Sequence, residues 1–380
     1  MSVLCLDRAL FSKDLDVLRE STDINWLNIS TTKLKKIQEP WVDPEYRQQT
    51  LFYRHLKYEM RPENRDRLLT FARAFLQECQ RLHGISAVVS ANVDYWQEES
   101  VKVACRQLNI PFLVLCRENY VTTFTVSWLI NHFIVAEFQY EGVGLAVFSD
   151  STKCAFLQSG AVKPAQISVT GAPRYDRWRE MPASPPAQRY VTLISFAAPI
   201  YLAPNVFAEV ANLFQRLAFA EKEGLIWIVK CKKGNEHEGI NRSFPELERA
   251  GVQVSWDIDL PVLLQSSRVV VGYNSMAITE ALLTDAHIVI PNWGQCMLRS
   301  DMVLFDPADE LVRECVTFAS SLEEMERLIK EMSAAPVVCS PERRRRRHEL
   351  FSRQVYLPED KSSADLISTF VKSHIGRAKA

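Results

Sequence analysis

The segment of residues 270–290 restricts the fold of this chain more than any other. A β-branched apolar run predicts a buried strand, and a polar turn with Asn274 and Ser275 follows it. Either side chain can cap a helix that contains Glu280, and the free N–H groups at its start can bind an anion. A second apolar run at 287–290 predicts the next strand. This order indicates a βαβ unit of a parallel sheet, whose turn either binds a nucleotide-like ligand or only caps the helix.

Strands alternate with helices over the whole chain, which at 380 residues is long enough for two domains with separate cores. A proline-containing segment at 181–190 predicts a linker between domains 1–180 and 191–340, followed by a helical segment at 341–380. The sequence therefore predicts an α/β protein with two facing Rossmann-like domains, each with a parallel sheet, and a C-terminal helix that packs back. We expect strands at 24–29, 86–90, 111–115, 144–148, 167–171, 191–195, 225–230, 252–254, 269–271 and 288–290, and a long helical region over 45–82.

Charge and cysteine usage exclude several classes of function. The formal net charge of −1 argues against general electrostatic binding to nucleic acid. The nine cysteines include no CxxC pair, so neither a zinc site nor a disulfide framework is indicated. No apolar run is long enough to span a bilayer, and the start of the chain lacks the pattern of a signal peptide. We expect a reduced, cytoplasmic protein.

Residues that follow each strand are the candidates for a site, because ligands of such folds lie in the cleft beyond the carboxyl ends of the strands. Gly171 allows a close backbone approach, and Arg174 offers a planar fork for a phosphate or carboxylate. Asp176 lies in the same turn, and the alternative is a linker turn in which Arg174 and Asp176 pair with each other. Ser195 ends another predicted strand and is a further candidate for donor binding.

Basic residues follow the predicted strand 225–230. Lys230 and Lys232 stand at alternate positions and can reach one anion, and His237 can donate a hydrogen bond to a phosphate or leaving-group oxygen. The alternative is a solvated basic loop.

The turn with Ser275 carries two further roles. A serine at a helix start suits phosphate oxygens, and Glu280 can accept hydrogen bonds from ribose hydroxyls. The alternative for Glu280 is an ordinary acid favoured by the helix dipole.

Carboxylates follow two predicted strands of the N-terminal domain. Glu118 comes after 111–115, and Asp94 comes after 86–90. A carboxylate at a strand end can act as a general base toward an acceptor hydroxyl, or as a nucleophile toward a sugar carbon. Glu118 is the first candidate and Asp94 the second, although Glu118 can instead pair with Arg117.

Together these residues resemble the GT-B superfamily, and within it the enzymes that build bacterial surface polysaccharides. The turn 171–176 is similar to the "GxPRxD" turn of CDP-glycerol glycerophosphotransferases, and Asn274-Ser275 with Glu280 looks like their donor-binding "SS…E" helix. The lysine-rich strand end is similar to their "KxHP" loop, although the histidine is displaced to His237. The loop with Glu118 resembles that of retaining Kdo transferases, and 359–363 is similar to the "DGKSS" tail.

The resemblance implies a GT-B glycosyltransferase that moves a sugar from a nucleotide-activated donor, CMP-Kdo-like or NDP-sugar, to a glycan or lipid-linked glycan acceptor. The C-terminal domain would bind the donor and the N-terminal domain the acceptor. Fixed positive groups can stabilise the leaving phosphate, so neither a metal nor another cofactor is expected. The expected donor-binding residues are Gly171, Arg174, Asp176, Ser195, Lys230, Lys232, His237, Asn274, Ser275 and Glu280, and the expected catalytic residues are Glu118 and Asp94.

Three other functions stay open. A CDP-polyol phosphotransferase would call for a histidine base, and none lies near Asp94 or Glu118 in the sequence. A non-catalytic sugar-nucleotide-binding or scaffold protein is the second. A non-hydrolysing epimerase of similar fold is the third, although its clustered acids and histidine are not found in the sequence.

Five consecutive arginines, Arg343–Arg347, suggest a peripheral membrane contact, because they can attract anionic lipid head groups at the inner face of the membrane. The alternative, which we favour, is a solvated helix face partly paired with acids.

Overall fold

A computed structural model describes residues 1–7, 11–47, 49–116, 126–179, 187–221, 224–232, 234–297, 304–357 and 360–379. The chain forms two compact units. The described residues of 1–121, 125–180 and 353–380 belong to unit 1, and those of 181–352 belong to unit 2. Glu118 lies outside the described residues.

Unit 1 contains a parallel sheet of six described strands in the order β2-β1-β3-β4-β5-β6. The predicted strand at 24–29 is not the first of the chain, because an apolar run near the start already forms one. That run was missed, since no turn signal precedes it in the sequence. The strands are β1 Ser2–Asp7, β2 Asn25–Ser30, β3 Ile85–Ser90, β4 Phe112–Leu115, β5 Gly144–Val147 and β6 Ile167–Val169.

Helices cover both faces of this sheet. Successive strand residues enter two different apolar cores, Leu4 and Val88 in one, Val3 and Val89 in the other, as the two-residue period of a strand requires. The predicted helical region 45–82 is broken, and its long helix begins only with a proline at the first turn, where the missing N–H costs nothing. The helices are α1 Ser12–Ser21, α2 Thr31–Gln38, α3 Gln49–Arg54, α4 Pro62–His83, α5 Trp96–Gln107, α6 Val126–Val135 and α7 Asp150–Gln158.

Unit 2 contains a second parallel sheet of six described strands in the order β12-β11-β10-β7-β8-β9. Its strands are β7 Tyr190–Ile194, β8 Ile226–Lys230, β9 Gln253–Ser255, β10 Ser267–Val271, β11 His287–Pro291 and β12 Thr317–Ala319. Its helices are α8 Pro204–Phe219, α9 Gly234–Ser243, α10 Glu246–Arg249, α11 Leu260–Gln265, α12 Met276–Ala281, α13 Glu310–Cys315, α14 Leu322–Ser333 and α15 Pro341–Gln354.

The last helix, α16 Ser363–Lys379, returns to unit 1. Its side chains Ile367 and Val371 join the apolar core that also contains Val3. Two parallel sheets with flanking helices, and a C-terminal helix that packs back on the first of them, confirm the predicted fold class.

Two general properties of the chain bear on its setting. All nine cysteines are free thiols, and most are buried. In the part of the chain that the structure describes, no helix combines the length and the apolar character needed to cross a membrane.

Candidate functional site

In the second sheet, the strand order changes direction between β7 and β10. The chain adds β8 and β9 on one side of β7, and it adds β11 and β12 on the other side of β10. The two central strands are direct neighbours, with Leu193 opposite Val271. Loops that leave the carboxyl ends of such a pair diverge and open a crevice, where proteins with parallel sheets bind ligands. This edge of unit 2 is therefore the candidate site.

The turn after β10 is tightly packed and brings a capped helix to this edge. A Cβ on Gly272 would lie 2.6 Å from Cδ1 of Ile278, so a larger residue there would require the Ile278 side chain to move. Asn274 adopts a left-handed conformation with φ of +48°. Its Oδ1 accepts a hydrogen bond from the N–H of Leu304 at 2.7 Å. Ser275 is the residue that caps α12, because its Oγ accepts a hydrogen bond from the N–H of Ala277 at 3.3 Å.

Tyr201 joins Ser275 at this edge. It ends a short 3-10 turn after β7, and its phenol is hydrogen-bonded to the Ser275 hydroxyl. Burial raises the pKa of Tyr201, the hydrogen bond with Ser275 opposes the rise, and the charge of Glu236 adds to it. The phenol is therefore a neutral hydrogen-bonding group at neutral pH.

Ser195 and Glu236 form the second half of the edge. The Ser195 hydroxyl donates to Oε1 of Glu236 at 2.7 Å, and the backbone N–H of Lys232 donates to Oε2 at 2.6 Å. Ser195 follows β7 and Glu236 lies in the first turn of α9. The switch point thus carries the hydroxyls of Ser195, Tyr201 and Ser275 and the carboxylate of Glu236.

The predicted basic residues differ in their surroundings. The ammonium of Lys230 donates to the backbone carbonyl of Trp256 at 2.6 Å. The side chain of Lys232 is exposed. Nε2 of His237 lies 3.1 Å from the carbonyl oxygen of Val254, in β9. Lys230 and His237 therefore hold backbone at the neighbouring strand, whereas Lys232 presents its charge to solvent.

Glu280 lies on α12 and its side chain is partly exposed. The structure places it on the same short helix that Ser275 caps, so both belong to the β10 side of the switch point.

Gly171, Arg174 and Asp176 belong to unit 1, after β6, and their contacts are with the rest of that unit. The guanidinium of Arg174 pairs with the buried Asp14 of α1, with Nε 3.0 Å from Oδ1. The alternative pairing of Arg174 with Asp176 is wrong, because Asp176 instead accepts hydrogen bonds from the N–H groups of Ser363 at 2.8 Å and Ala364 at 3.0 Å.

Gly171 lies against the chain that leads to α16. Its φ is +69°, and a Cβ there would come within 2.1 Å of the carbonyl oxygen of Tyr356. The turn 171–176 therefore anchors the C-terminal segment. To bind a donor as predicted, Arg174 would have to release Asp14, and Asp176 would have to release the N–H groups of Ser363 and Ala364.

Asp94 lies in unit 1 in the turn between β3 and α5, where it is 5% exposed. Two further carboxylates, Glu98 and Glu99, are buried in the first turn of α5. Lys102 pairs with Glu99 and also donates to the carbonyl oxygen of Val93 at 2.7 Å. Burial raises the pKa of Glu99 to about 7, although Lys102 opposes the rise. Of these three acids the sequence suggested only Asp94 as a site residue, and the structure adds the buried carboxylates of Glu98 and Glu99.

The arginine run lies on α15, and the expectation of a solvated face is wrong for Arg347. Its side chain is fully buried and donates to the carbonyl oxygens of Thr284 at 2.7 Å and Ala286 at 2.9 Å. The other paired arginines form the ion pairs Arg344–Asp285, Arg345–Glu342, Arg346–Glu314 and Arg346–Glu349. Lipid contact through this run stays a prediction.

Sequence reasoning missed Glu236 and Tyr201. The signal for Glu236 was its place in the first turn of a helix directly after a strand. Asp257 and Asp259 were also passed over, although they form an exposed Asp-x-Asp pair in the turn after β9. The hydrogen bond from Ser255 lowers the pKa of Asp257, and the charges of Lys230 and His237 add to that effect.

Comparison with known proteins identifies the fold. No protein-family model matches this chain, and no curated protein matches its sequence. Among solved structures, the chain is similar to UDP-GlcNAc 2-epimerase of Methanocaldococcus jannaschii, with a TM-score of 0.54, 12% identity and coverage of 98% of this chain and 99% of that one. A glycosyltransferase of Rickettsia africae gives a TM-score of 0.53, 10% identity, and coverage of 99% and 97%. MnaA of S. aureus, solved with UDP, gives a TM-score of 0.53, 10% identity, and coverage of 99% and 97%. The chain therefore has the GT-B fold.

Proposed function

We propose that the protein is a glycosyltransferase that binds a nucleotide-activated sugar at the switch point of unit 2. The observation that carries the proposal is the set of hydroxyls from Ser195, Tyr201 and Ser275 at the carboxyl edge of β7 and β10. One structural neighbour was solved in complex with UDP-GlcNAc and UDP, and others are glycosyltransferases. The acceptor would be a glycan or lipid-linked glycan of a surface polysaccharide, and the donor a CMP-Kdo-like or NDP-sugar.

Each group of the donor has a proposed partner in unit 2. The Ser275 hydroxyl and the backbone beside Asn274 would bind the phosphates, and the exposed ammonium of Lys232 would neutralise them. Glu280 would accept hydrogen bonds from ribose hydroxyls. Lys230 and His237 would hold the loops after β8 and β9, through the carbonyl groups that they already contact. Fixed donors of this kind stabilise the charge that develops on a leaving phosphate.

Catalysis would depend on a carboxylate of unit 1. Glu118 is the first candidate and Asp94 the second. We expect E118Q to abolish sugar transfer while nucleotide binding stays unchanged, because an amide cannot act as a base or a nucleophile. D94N tested in parallel shows which acid carries the role. Unchanged turnover in E118Q would exclude Glu118.

Metal independence is a further part of the proposal, because Lys232 and the hydrogen-bond donors can replace a metal at the phosphates. The exposed Asp257 and Asp259 offer carboxylate oxygens, which divalent cations prefer as ligands. We expect the transfer rate to be the same with and without EDTA. A rate that falls with EDTA and returns with Mg²⁺ or Mn²⁺ contradicts this expectation, and D257N would then locate the metal.

The experiment that tests the proposal is a thermal-shift titration with CMP, UDP and GDP. A ligand at 100 times its Kd stabilises the folded protein by about 2.7 kcal/mol. CMP selectivity supports a Kdo-like or sialic donor, and UDP or GDP selectivity supports a hexose donor. S275A should lose the shift, whereas S320A, an exposed serine of the same unit, should keep it. No shift with any nucleotide rejects the proposal and favours a scaffold protein.

A second candidate function is a non-hydrolysing sugar-nucleotide epimerase. The observation that favours it is the buried set of Asp94, Glu98 and Glu99, in which burial raises the pKa of Glu99 to about 7. Removal and return of a proton at a sugar carbon needs a group that can carry a proton near neutral pH. Incubation with UDP-GlcNAc separates the two functions. Epimerisation without an acceptor supports the epimerase, and transfer that requires an acceptor supports the glycosyltransferase. Transfer of glycerol phosphate from CDP-glycerol to an acceptor, with CMP as the leaving group, would instead identify a polyol phosphotransferase.

A further inference from the structure

Two hydrogen bonds orient the carboxylate of Glu236. Ser195, which is 3% exposed, donates its hydroxyl hydrogen to Oε1, and the N–H of Lys232 donates to Oε2 at 2.6 Å. The Ser195 Oγ in turn accepts a hydrogen bond from the N–H of Ala197 at 3.3 Å, which fixes the hydroxyl. Glu236 itself is partly exposed. The protein therefore orients the carboxylate and leaves the residue partly accessible to solvent.

An oriented carboxylate accepts hydrogen bonds but cannot donate them. It has about four lone-pair positions, so two donors leave roughly two positions for a ligand. A phosphate oxygen placed there would be repelled by the like charge. A sugar presents hydroxyl hydrogens, which a carboxylate accepts well. The phosphates then belong beside Ser275 and the Lys232 ammonium.

We propose that Glu236, oriented by Ser195, binds hydroxyl groups of the sugar that the donor carries. The inference rests on the proposed function and adds a division of the site to it. The β10 side would bind the nucleotide, and the β8 side would bind the sugar. Glu236 would thus make the protein prefer a nucleotide sugar to the bare nucleotide.

Isothermal titration of wild type and E236Q with two ligand pairs tests this division. The pairs are UDP with UDP-GlcNAc, and CMP with CMP-N-acetylneuraminate. Hydrogen bonds to a charged group predict that wild type binds the sugar nucleotide of its preferred pair roughly 10-fold tighter than the bare nucleotide. E236Q should bring the two Kd values of that pair within about 2-fold of each other by weakening only the sugar nucleotide.

Two further variants control for folding and for charge. E238Q removes an exposed acid of the same helix, and it should behave as wild type. S195A keeps the carboxylate but removes the hydroxyl that orients it, and it should lose part of the preference for the sugar nucleotide. Because S195A leaves Glu236 in place, it tests the inference even where E236Q does not fold.

Each other result overturns the inference in a recognisable way. If E236Q binds the nucleotide and the sugar nucleotide equally more weakly than wild type does, the carboxylate contacts the ribose instead of the sugar. If E236Q binds both ligands more tightly, the carboxylate of wild type repels the phosphates. Unchanged Kd values in E236Q and S195A exclude any contact with the ligand. A protein that binds GDP alone is titrated with GDP and GDP-mannose in the same way. If wild type binds neither the four ligands nor GDP, the proposed function itself fails, and the inference fails with it.

Discussion

The buried guanidinium of Arg347 links α15 to the segment before β11 in unit 2. Its guanidinium is fully buried and donates to the carbonyl oxygens of Thr284 and Ala286, which lie just before β11. Arg345, two residues earlier in the run, is exposed and pairs with Glu342, three residues before it on the same helix. Two arginines of one run therefore differ in environment, and we expect their substitutions to lower the stability by different amounts.

We expect R347M to lower the free energy of unfolding of unit 2 by about 3 kcal/mol or more, because hydrogen bonds to charged groups contribute about 1.5–3 kcal/mol each. R345M is the matched control, and it should cost under about 0.5 kcal/mol, since exposed pairs contribute little. Urea denaturation of the two variants measures both values. Equal costs would contradict the assigned role of Arg347.

His287 at the start of β11 gives unit 2 a pH-dependent stability. Burial and the charges of Arg343 and Arg347 lower the pKa of His287 from 6.5 to about 4. Between these values the unfolded chain binds a proton that the folded chain does not, so stability falls as the pH is lowered. One pKa unit corresponds to about 1.4 kcal/mol, and partial exposure of the ring reduces the total to about 1–3 kcal/mol.

The check is urea denaturation of wild type and H287Q at pH 7 and pH 4.5. The wild-type protein should lose more stability than the variant over this range. Parallel loss in the two proteins would show that the imidazole is not protected from protonation.

At the level of elements, the turn 171–176 anchors α16 to unit 1. Asp176 is buried and caps the helix through the N–H groups of Ser363 and Ala364. We expect D176A to cost about 1–2 kcal/mol, the usual cost of a lost cap, and to speed hydrogen exchange over 363–379. D23A is the matched control, because it removes only an exposed ion pair between Asp23 and Lys372 of the same helix. Unchanged exchange in D176A would contradict the anchoring role.

Local patterns predicted most of the elements but few of their contacts. The β-branched run before Gly272 predicted β10 because a strand buried on both faces needs apolar residues in succession. The cap at Ser275 was predictable because it depends on neighbours in sequence. The pairing of Arg174 with Asp14 was not, since 160 residues separate them and tertiary packing alone brings them together. The hydrogen bond between Ser195 and Glu236 was not predictable for the same reason, because 41 residues separate them.

For the molecule as a whole, the strand order gives the site its location. The reversal between β7 and β10 places Ser195 and Ser275 at one edge, although their distance in sequence gives no sign of it. Sequence motifs suggested Ser275 and Glu280 correctly as neighbours on one helix, but they also grouped the turn 171–176 with them, which the fold assigns to unit 1. Short motifs predict the local structure around a few residues, whereas the strand order shows which motifs lie at the same edge of a sheet.

Hydrogen exchange of the protein with and without its preferred nucleotide sugar tests the central claim most directly. A ligand at the switch point of unit 2 should slow exchange of backbone amides in 194–203, 230–237 and 272–282, because bound groups protect the loops that they contact. Protection of all three segments is the predicted result. Protection that is confined to unit 1, or absent from the segments after β7, β8 and β10, would contradict the account.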